Sequence, residues 1–345
     1  MERDKWGISI TTYTCMASVL SAVALLSGCQ TDKQPRLRFG AFFGSPIAME
    51  FADPEHLGTH HFNFNLNEKN GMVYTCRGGF IDLGHLREAA DRTAYLREVT
   101  YRNLMGKKTK FSFRVIEPSR YWVKLSYPEN WDNQSPEEKE KTANEVSIQM
   151  GQYFAHISLV WHEILTWYGF STSGIFSEKI SAFSWEDTYS DLLGTNLAVQ
   201  ALGDSQQQFD DAMTKLIYQK LKELDVQPPE VARRAAKQIE GEWFTGGFYF
   251  FVDMKKQNFE VGMNDDYITP WLVPGICPNA KPQLCPATSL ELLSRHGFKM
   301  KLEIEPRVWE KGKIYHSINM EKAGNRIQPE VHFPKIMEQI KKEAG

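Results

Sequence analysis

The residues best suited to chemistry lie together between Trp161 and Thr195, in WHEILTWYGFSTSGIFSEKISAFSWEDTYSDLLGT. His162 and Glu163 are adjacent inside an apolar helical pattern, and Glu186, Asp187 and Asp191 open the next one. Two helices that bring an imidazole and carboxylates to their facing sides form a donor set for a divalent metal. A glutamate beside the ligating imidazole is then placed to take a proton from coordinated water. Asp187 and Asp191 are four residues apart and share a helix face. Thr166 stands at the i+4 position from His162, where a second imidazole would complete a His-Glu-x-x-His pair, so another ligand must come from elsewhere.

His85 and His60 are the candidates. Ile81, His85, Ala89, Leu96 and Val99 share a face by the 3.6-residue period, which turns His85 towards the core with Asp82 one turn earlier. His60 sits in the loop DPEHLGTHHFNFN, beside His56 and His61. Imidazole with carboxylate donors suits zinc ahead of iron or manganese. The same residues also have structural readings. Ser184 and Asp187 have capping-box spacing, Glu186 suits the first turn of a helix, and His162–Glu163 can be a buried hydrogen-bonded pair.

Together, WHEILTWYG and SAFSWEDTYSDLLGT resemble the two ligand helices of thermolysin-like gluzincin metallopeptidases over roughly a tenth of the chain. That resemblance implies His162 and either Asp187 or Glu186 as zinc ligands, Glu163 as general base, and Asp191 behind the imidazole to hold it. Thr166 departs from the pattern. The segments YTCRGGFIDLGHLREAADRTAYL, WHEILTWYG and SAFSWEDTYSDLLGT also resemble an uncharacterised family of bacterial lipoproteins, which implies a location and a single domain without an activity.

Cys76 offers a second chemistry. TCRGGF places a thiol before a Gly-Gly turn and a helix start, where its pKa would fall, and His85 or His162 could serve as base for a hydrolase or acyltransferase. The run is similar to the nucleophile segment of cell-wall papain-like peptidases, with Thr75 and Arg77 departing from that pattern. The structural alternative is a buried cysteine.

The N-terminus reads as an export signal. Arg3 and Lys5 precede an apolar stretch from Ile8 to Leu26, which ends in Leu26-Ser27-Gly28-Cys29. This ending resembles a bacterial lipobox, which implies a signal peptide over residues 1–28, a lipidated Cys29 and a tether over 29–50. Gln30 is similar to the outer-membrane sorting pattern, so the expected location is the outer membrane, facing the periplasm. The membrane would then be a partner through the lipid. Cys277 and Cys285, in the Pro-rich loop CPNAKPQLC, are the expected disulfide.

With 345 residues, 42% of them hydrophobic, the chain can bury a large core, and a net charge of −3 gives no reason to expect nucleic acid. The pattern predicts strands at Met72–Thr75, Phe111–Val115 and Tyr121–Tyr127, with a turn at Gly78-Gly79 leading directly into a helix. Ser135-Pro136-Glu137-Glu138 starts a long helix that ends near Tyr168, apolar on nearly every side in its second half. A helix capped by Ser184 follows, then helices over 205–224 and 229–241. Strands are expected at Phe248–Val252, Phe259–Met263, Phe298–Ile304 and Lys313–Ile318, with an amphipathic helix from Phe333. The fold class is α+β: a helical centre with a long buried helix and antiparallel strands before and after it, in one domain over 51–345. The expected function is a metal-dependent hydrolase acting on a periplasmic peptide, peptidoglycan or lipid linkage. The alternatives are a non-catalytic binding or structural lipoprotein and a Cys76 enzyme.

Overall fold

The computed structural model describes residues 34–38, 40, 41, 43, 49–171, 179–246, 253–262, 267–320 and 326–345. The expected signal peptide, Cys29, most of the tether and the expected strand at 248–252 lie outside the described residues. By contacts the chain divides into Met1–Gln34 and Pro35–Gly345. Everything below concerns the second unit.

Three helices build its centre. Helix α1 (Leu83–Met105) starts at Asp82, whose side chain accepts from the N–H groups of Gly84 and His85. Helix α2 (Pro136–Trp167) starts with a full capping box between Ser135 and Glu138 and has Pro136 in its first turn, as the sequence predicts. From Met150 to Trp161 every residue of α2 is buried, so this helix is the axis of the fold. Helix α3 (Asp187–Gly203) packs beside both.

Two glycines bring these helices together backbone to backbone. A Cβ on Gly151 of α2 would stand 2.6 Å from the Arg97 nitrogen of α1, and one on Gly194 of α3 would stand 2.0 Å from the Leu86 oxygen. Neither position has room for a methyl group. The site described below lies across these contacts.

Around the centre the elements are small. Strands β1 (Met72–Thr75) and β2 (Gly79–Asp82) form a hairpin that pairs Thr75 with Gly79 and Met72 with Asp82. The chain therefore makes one more strand before α1, where the sequence suggested direct entry. All eight residues of this hairpin are buried, which hides any alternation of apolar and polar positions. Strands β3 (Lys110–Phe113) and β4 (Arg120–Ser126) follow. After α3 come α4 (Phe209–Glu223) and α5 (Pro229–Ile239), then two short ladders, β5 (Phe244–Thr245) with β6 (Asp253–Met254) and β7 (Tyr267–Ile268) with β8 (Cys285–Pro286).

A short helix α6 (Glu291–Arg295) leads to β9 (Lys299–Glu305), which completes an antiparallel sheet of order β3-β4-β9. The inward residues Tyr121, Val123, Leu302 and Ile304 join the main apolar core with α2. Helices α7 (Lys311–Ser317) and α8 (Pro329–Ala344) end the chain, and Phe333 of α8 stacks on Trp161 of α2 with ring centroids 5.9 Å apart. Burying a side chain of that size contributes roughly 1.5–3 kcal/mol. The class is α+β.

Other local expectations need correction. Lys313–Ile318 lies mostly in helix α7 instead of a strand, because Ile314 alone is buried there and Gly312 is taken into the first turn. Residues 259–262 are irregular. The Asn258 side chain accepts from the Glu260 N–H, and the Val261 carbonyl faces the His156 imidazole at 2.8 Å, so neither group enters a ladder. Helix α3 begins at Asp187, three residues past Ser184.

The disulfide also differs from expectation. Cys76 bonds to Cys277 across 201 residues of sequence, with Cα atoms 5.5 Å apart. Cys285 is a buried free thiol on β8, with the Asn196 amide 3.3 Å from its sulfur, and burial pushes its pKa up to about 12. Strand pairing with Ile268 fixes Cys285 in the core, away from the partner that proximity in sequence suggests. With its sulfur in a disulfide, Cys76 is not a nucleophile.

Candidate metal centre

Asp82, His85 and Asp187 form a candidate metal-binding triad, with one donor atom from each within 4.8 Å of the others. Asp82 ends the β1–β2 hairpin and caps α1, His85 lies on the first turn of α1, and Asp187 opens α3. Residues 82 and 85 share a face because they are three apart on a helix start. The hairpin and two helices thus deliver one ligand set.

Asp82 is held in place by hydrogen bonds. Asp82 Oδ1 accepts from the Gly84 N–H at 2.7 Å, and Oδ2 accepts from the Ala41 N–H at 2.5 Å. The Asp82 backbone N–H donates to the Ser190 hydroxyl at 3.0 Å, which ties the triad to α3. Gly40 passes so near the ring that a Cβ there would stand 2.4 Å from His85 Nε2 and 2.9 Å from Asp82 Oδ2. On the other side of the ring, Nδ1 stands 3.3 Å from Asp187 Oδ1 and 3.7 Å from Asp191 Oδ1. Two aspartates of α3 therefore face the same ring nitrogen.

Three more carboxylates surround the triad. Asp191 lies one turn along α3 from Asp187, Glu186 precedes α3, and Glu163 comes across from α2. Glu163 Oε2 accepts from the Phe183 N–H at 2.5 Å. Asp191 Oδ1 and Glu186 Oε2 are buried and accept no hydrogen bond.

The electrostatics follow from five carboxylates around one imidazole. Burial, with the neighbouring charge of Asp187, pushes Glu163 up to about 7. Burial lifts Asp82 to about 6, with Asp187 adding to the effect and His85 opposing it. Asp191 and Glu186 are driven well above the usual carboxylate range by burial, again with Asp187 contributing. Burial opposes a charge on His85, but Asp187, Asp82 and Asp191 outweigh it and raise its pKa well above normal. A buried group of this composition lacks positive charge.

The other predicted ligands lie elsewhere. His162 Nδ1 stands 3.0 Å from Glu117 Oε1, an ion pair that raises the imidazole to about 9 against the effect of burial. His60 is fully buried with Nε2 2.9 Å from Asp91 Oδ1, in a separate network with Arg38. Of the expected metal ligands, the cluster gathers His85, Asp187 and Glu186, without His162 or His60. Asp191 stands near His85 instead of His162. Thr166 is buried with no partner for its hydroxyl. Asp82 is the triad member that the reading of ligands left out, and its signal was the Asp-x-x-His spacing of residues 82–85 just after an apolar run.

A family model matches residues 49–247, more than half of the chain. The chain belongs to the DUF4056 family, proteins of unknown function. No curated protein and no solved structure matched it. The cluster of this DUF4056 chain, from Asp82 to Asp191, lies wholly inside the matched residues, whereas Gly40, Ala41 and Cys277 lie outside them.

Proposed function

We propose that this DUF4056 protein is a metal-dependent hydrolase whose divalent cation is held by Asp82, His85 and Asp187. The carrying observation is a half-buried imidazole grouped with two buried aspartates, with Arg92, itself engaged by Glu88 and facing Glu117, as the guanidinium at the edge of the cluster among the described residues. The residues fit the group: two hard oxygen donors and one imidazole, with Asp82 fixed by backbone N–H groups, suit zinc and also manganese. A divalent cation bound there would polarise a carbonyl or lower the pKa of a water.

The chain's own groups supply the rest. Glu163 has one oxygen fixed by the Phe183 N–H, which leaves the other free to accept a proton. Its placement across from Asp187 keeps the role of general base that the sequence suggested, although the neighbouring imidazole has turned to Glu117. The donor set of this reading differs from the zincin pattern: His162 pairs with Glu117, and His85 with the capping Asp82 and Asp187 would hold the ion.

We also read the protein as a lipid-anchored envelope protein of the outer membrane, joined to the bilayer through Cys29, with a peptide, peptidoglycan or lipid linkage as substrate. The Leu-Ser-Gly-Cys ending and the apolar run before it support that reading. No helix among the described residues is long and apolar enough to cross a membrane.

The test is metal content by mass spectrometry on the chain starting at Gln30, beside folded His85→Ala and Asp187→Asn proteins. Zinc or manganese in the wild type and its loss in both variants is the expected result. A wild type that stays metal-free after incubation with either ion would sink the proposal. Glu163→Gln should keep metal and lose hydrolysis of whichever envelope substrate the wild type cleaves, and Cys29→Ser should abolish labelling by a fatty acid.

A further inference from the structure

The triad accounts for only part of the acidic cluster, and what remains is informative. Asp191 is 5% exposed, and its Oδ1 accepts no hydrogen bond. Its ion pair with His85 Nδ1 spans 3.7 Å, beyond hydrogen-bond range, so Asp191 does not fix that ring by a hydrogen bond. Glu186 is 3% exposed, with Oε2 likewise unpaired. In folded proteins such groups nearly always have a partner.

Counting charge leads to the same place. One divalent cation in the triad balances Asp82 and Asp187 and leaves the unpaired oxygens of Asp191 and Glu186 without a partner. Arg92 already donates to Glu88 at 2.6 Å and to the Ser158 hydroxyl at 3.1 Å, and stands 3.7 Å from Glu117. Asp187 lies between the two groups: it forms the triad with Asp82 and His85, and it shares a helix face with Asp191 one turn on.

We propose that the centre takes two divalent cations, one in the Asp82–His85–Asp187 triad and a second between Asp187 and Asp191, with the Asp187 carboxylate shared. The second site has few protein donors and completes its shell with water or substrate, as suits a hard ion such as Mn2+ or Mg2+. Glu163 faces this second site from α2 and keeps its role as proton acceptor. Paired cations sharing a carboxylate clamp the two oxygens of a displacement at phosphorus or carbon, which makes a phosphate ester or an amide the expected substrate class. This inference rests on the metal-binding reading given above.

The experiment is titration of the metal-stripped full-length chain with Mn2+, following bound equivalents by calorimetry and the coupling of the ions by electron paramagnetic resonance. Two equivalents with an exchange-coupled signal are expected, falling to one uncoupled equivalent in the isosteric Asp191→Asn protein. One equivalent in the wild type would overturn the second site and leave the triad standing. No binding at all would remove the triad as well. Two equivalents without coupling, or two retained in Asp191→Asn, would overturn the shared placement.

Discussion

Helix α1 carries two buried polar clusters, and they are built on opposite principles. On one side Arg38 reaches Asp91 and Glu68, Arg36 also pairs with Glu68, and His60 closes on Asp91 at 2.9 Å. Arg38 also donates to the His61 carbonyl at 2.8 Å. Near the helix start, the cluster around His85 has five carboxylates, unpaired oxygens on two of them, and only Arg92 at its edge among the described residues, already engaged by Glu88. In the first region every carboxylate faces a cation or an imidazole, although His60 Nδ1 and Arg36 Nε keep no hydrogen-bond partner, while the second is short of positive charge. Both contain a histidine beside buried carboxylates, so a buried acidic neighbour alone does not mark a site. The difference lies in whether each charge has already been answered.

Four measurements would break or sharpen that contrast, and the largest effect belongs to the Arg38 network. Arg38→Ala removes the guanidinium that Glu68 and Asp91 share and leaves them only Arg36 and His60, and the chain should lose about 3 kcal/mol of unfolding free energy in urea. Asp187→Asn in the metal-free protein should instead leave stability unchanged or raise it, by on the order of 1 kcal/mol, because it relieves repulsion. Equal losses in the two variants would erase the distinction.

His156 shows another solution, burial as the neutral form. Burial holds its pKa down at about 4, against 6.5 for the ordinary group. Between those values the unfolded chain binds the proton that the folded one refuses. This contribution is therefore whole above about pH 6.5 and is lost as the pH falls towards 4, by about 3 kcal/mol at most. The ion pair of His162 with Glu117 runs the other way: the raised imidazole favours the fold below its ordinary pKa, and that gain is lost as the pH rises through about 9. The Tm of His156→Gln, followed from pH 7 to pH 4.5, should fall less steeply than that of the wild type.

A cation at the His85 cluster should stabilise the wild type by about 2.7 kcal/mol at a hundred times its dissociation constant. His85→Ala should lose this shift, read as the change in Tm on adding Mn2+, while His60→Gln should keep it. Loss of the shift in His60→Gln would place the cation in the wrong cluster.

Much of the architecture could be read from the sequence, and the reasons are local. Ser135-Pro136-Glu137-Glu138 defines the start of α2 by its own hydrogen bonds, and the apolar run to Trp161 declares its burial. Residues 299–305 alternate and pair with β4. Where the reading failed, long-range contacts decided. Nothing near Cys76 points to a partner 201 residues away. Nothing in His162-Glu163 says that the imidazole turns to Glu117, which lies on a turn between β3 and β4. His85 and Asp187 were legible as candidate ligands because a helix face follows from spacing, whereas Asp82 was missed because its place as cap and its place in the candidate triad meet only once the hairpin is folded.

The contact at Gly194 has a consequence beyond packing. Gly194 lies three residues past Asp191, and it rests on the Leu86 carbonyl, the residue after His85. The thickness of that contact therefore sets how far the acidic turn of α3 stands from the imidazole of α1. A methyl group there, 2.0 Å from the carbonyl oxygen, would push the helices apart without touching a ligand. In Gly194→Ala the order of affinities should shift from Mn2+ towards the larger Ca2+, as measured by competition between the two ions. A residue with no side chain would then be what sets the ionic radius the centre accepts.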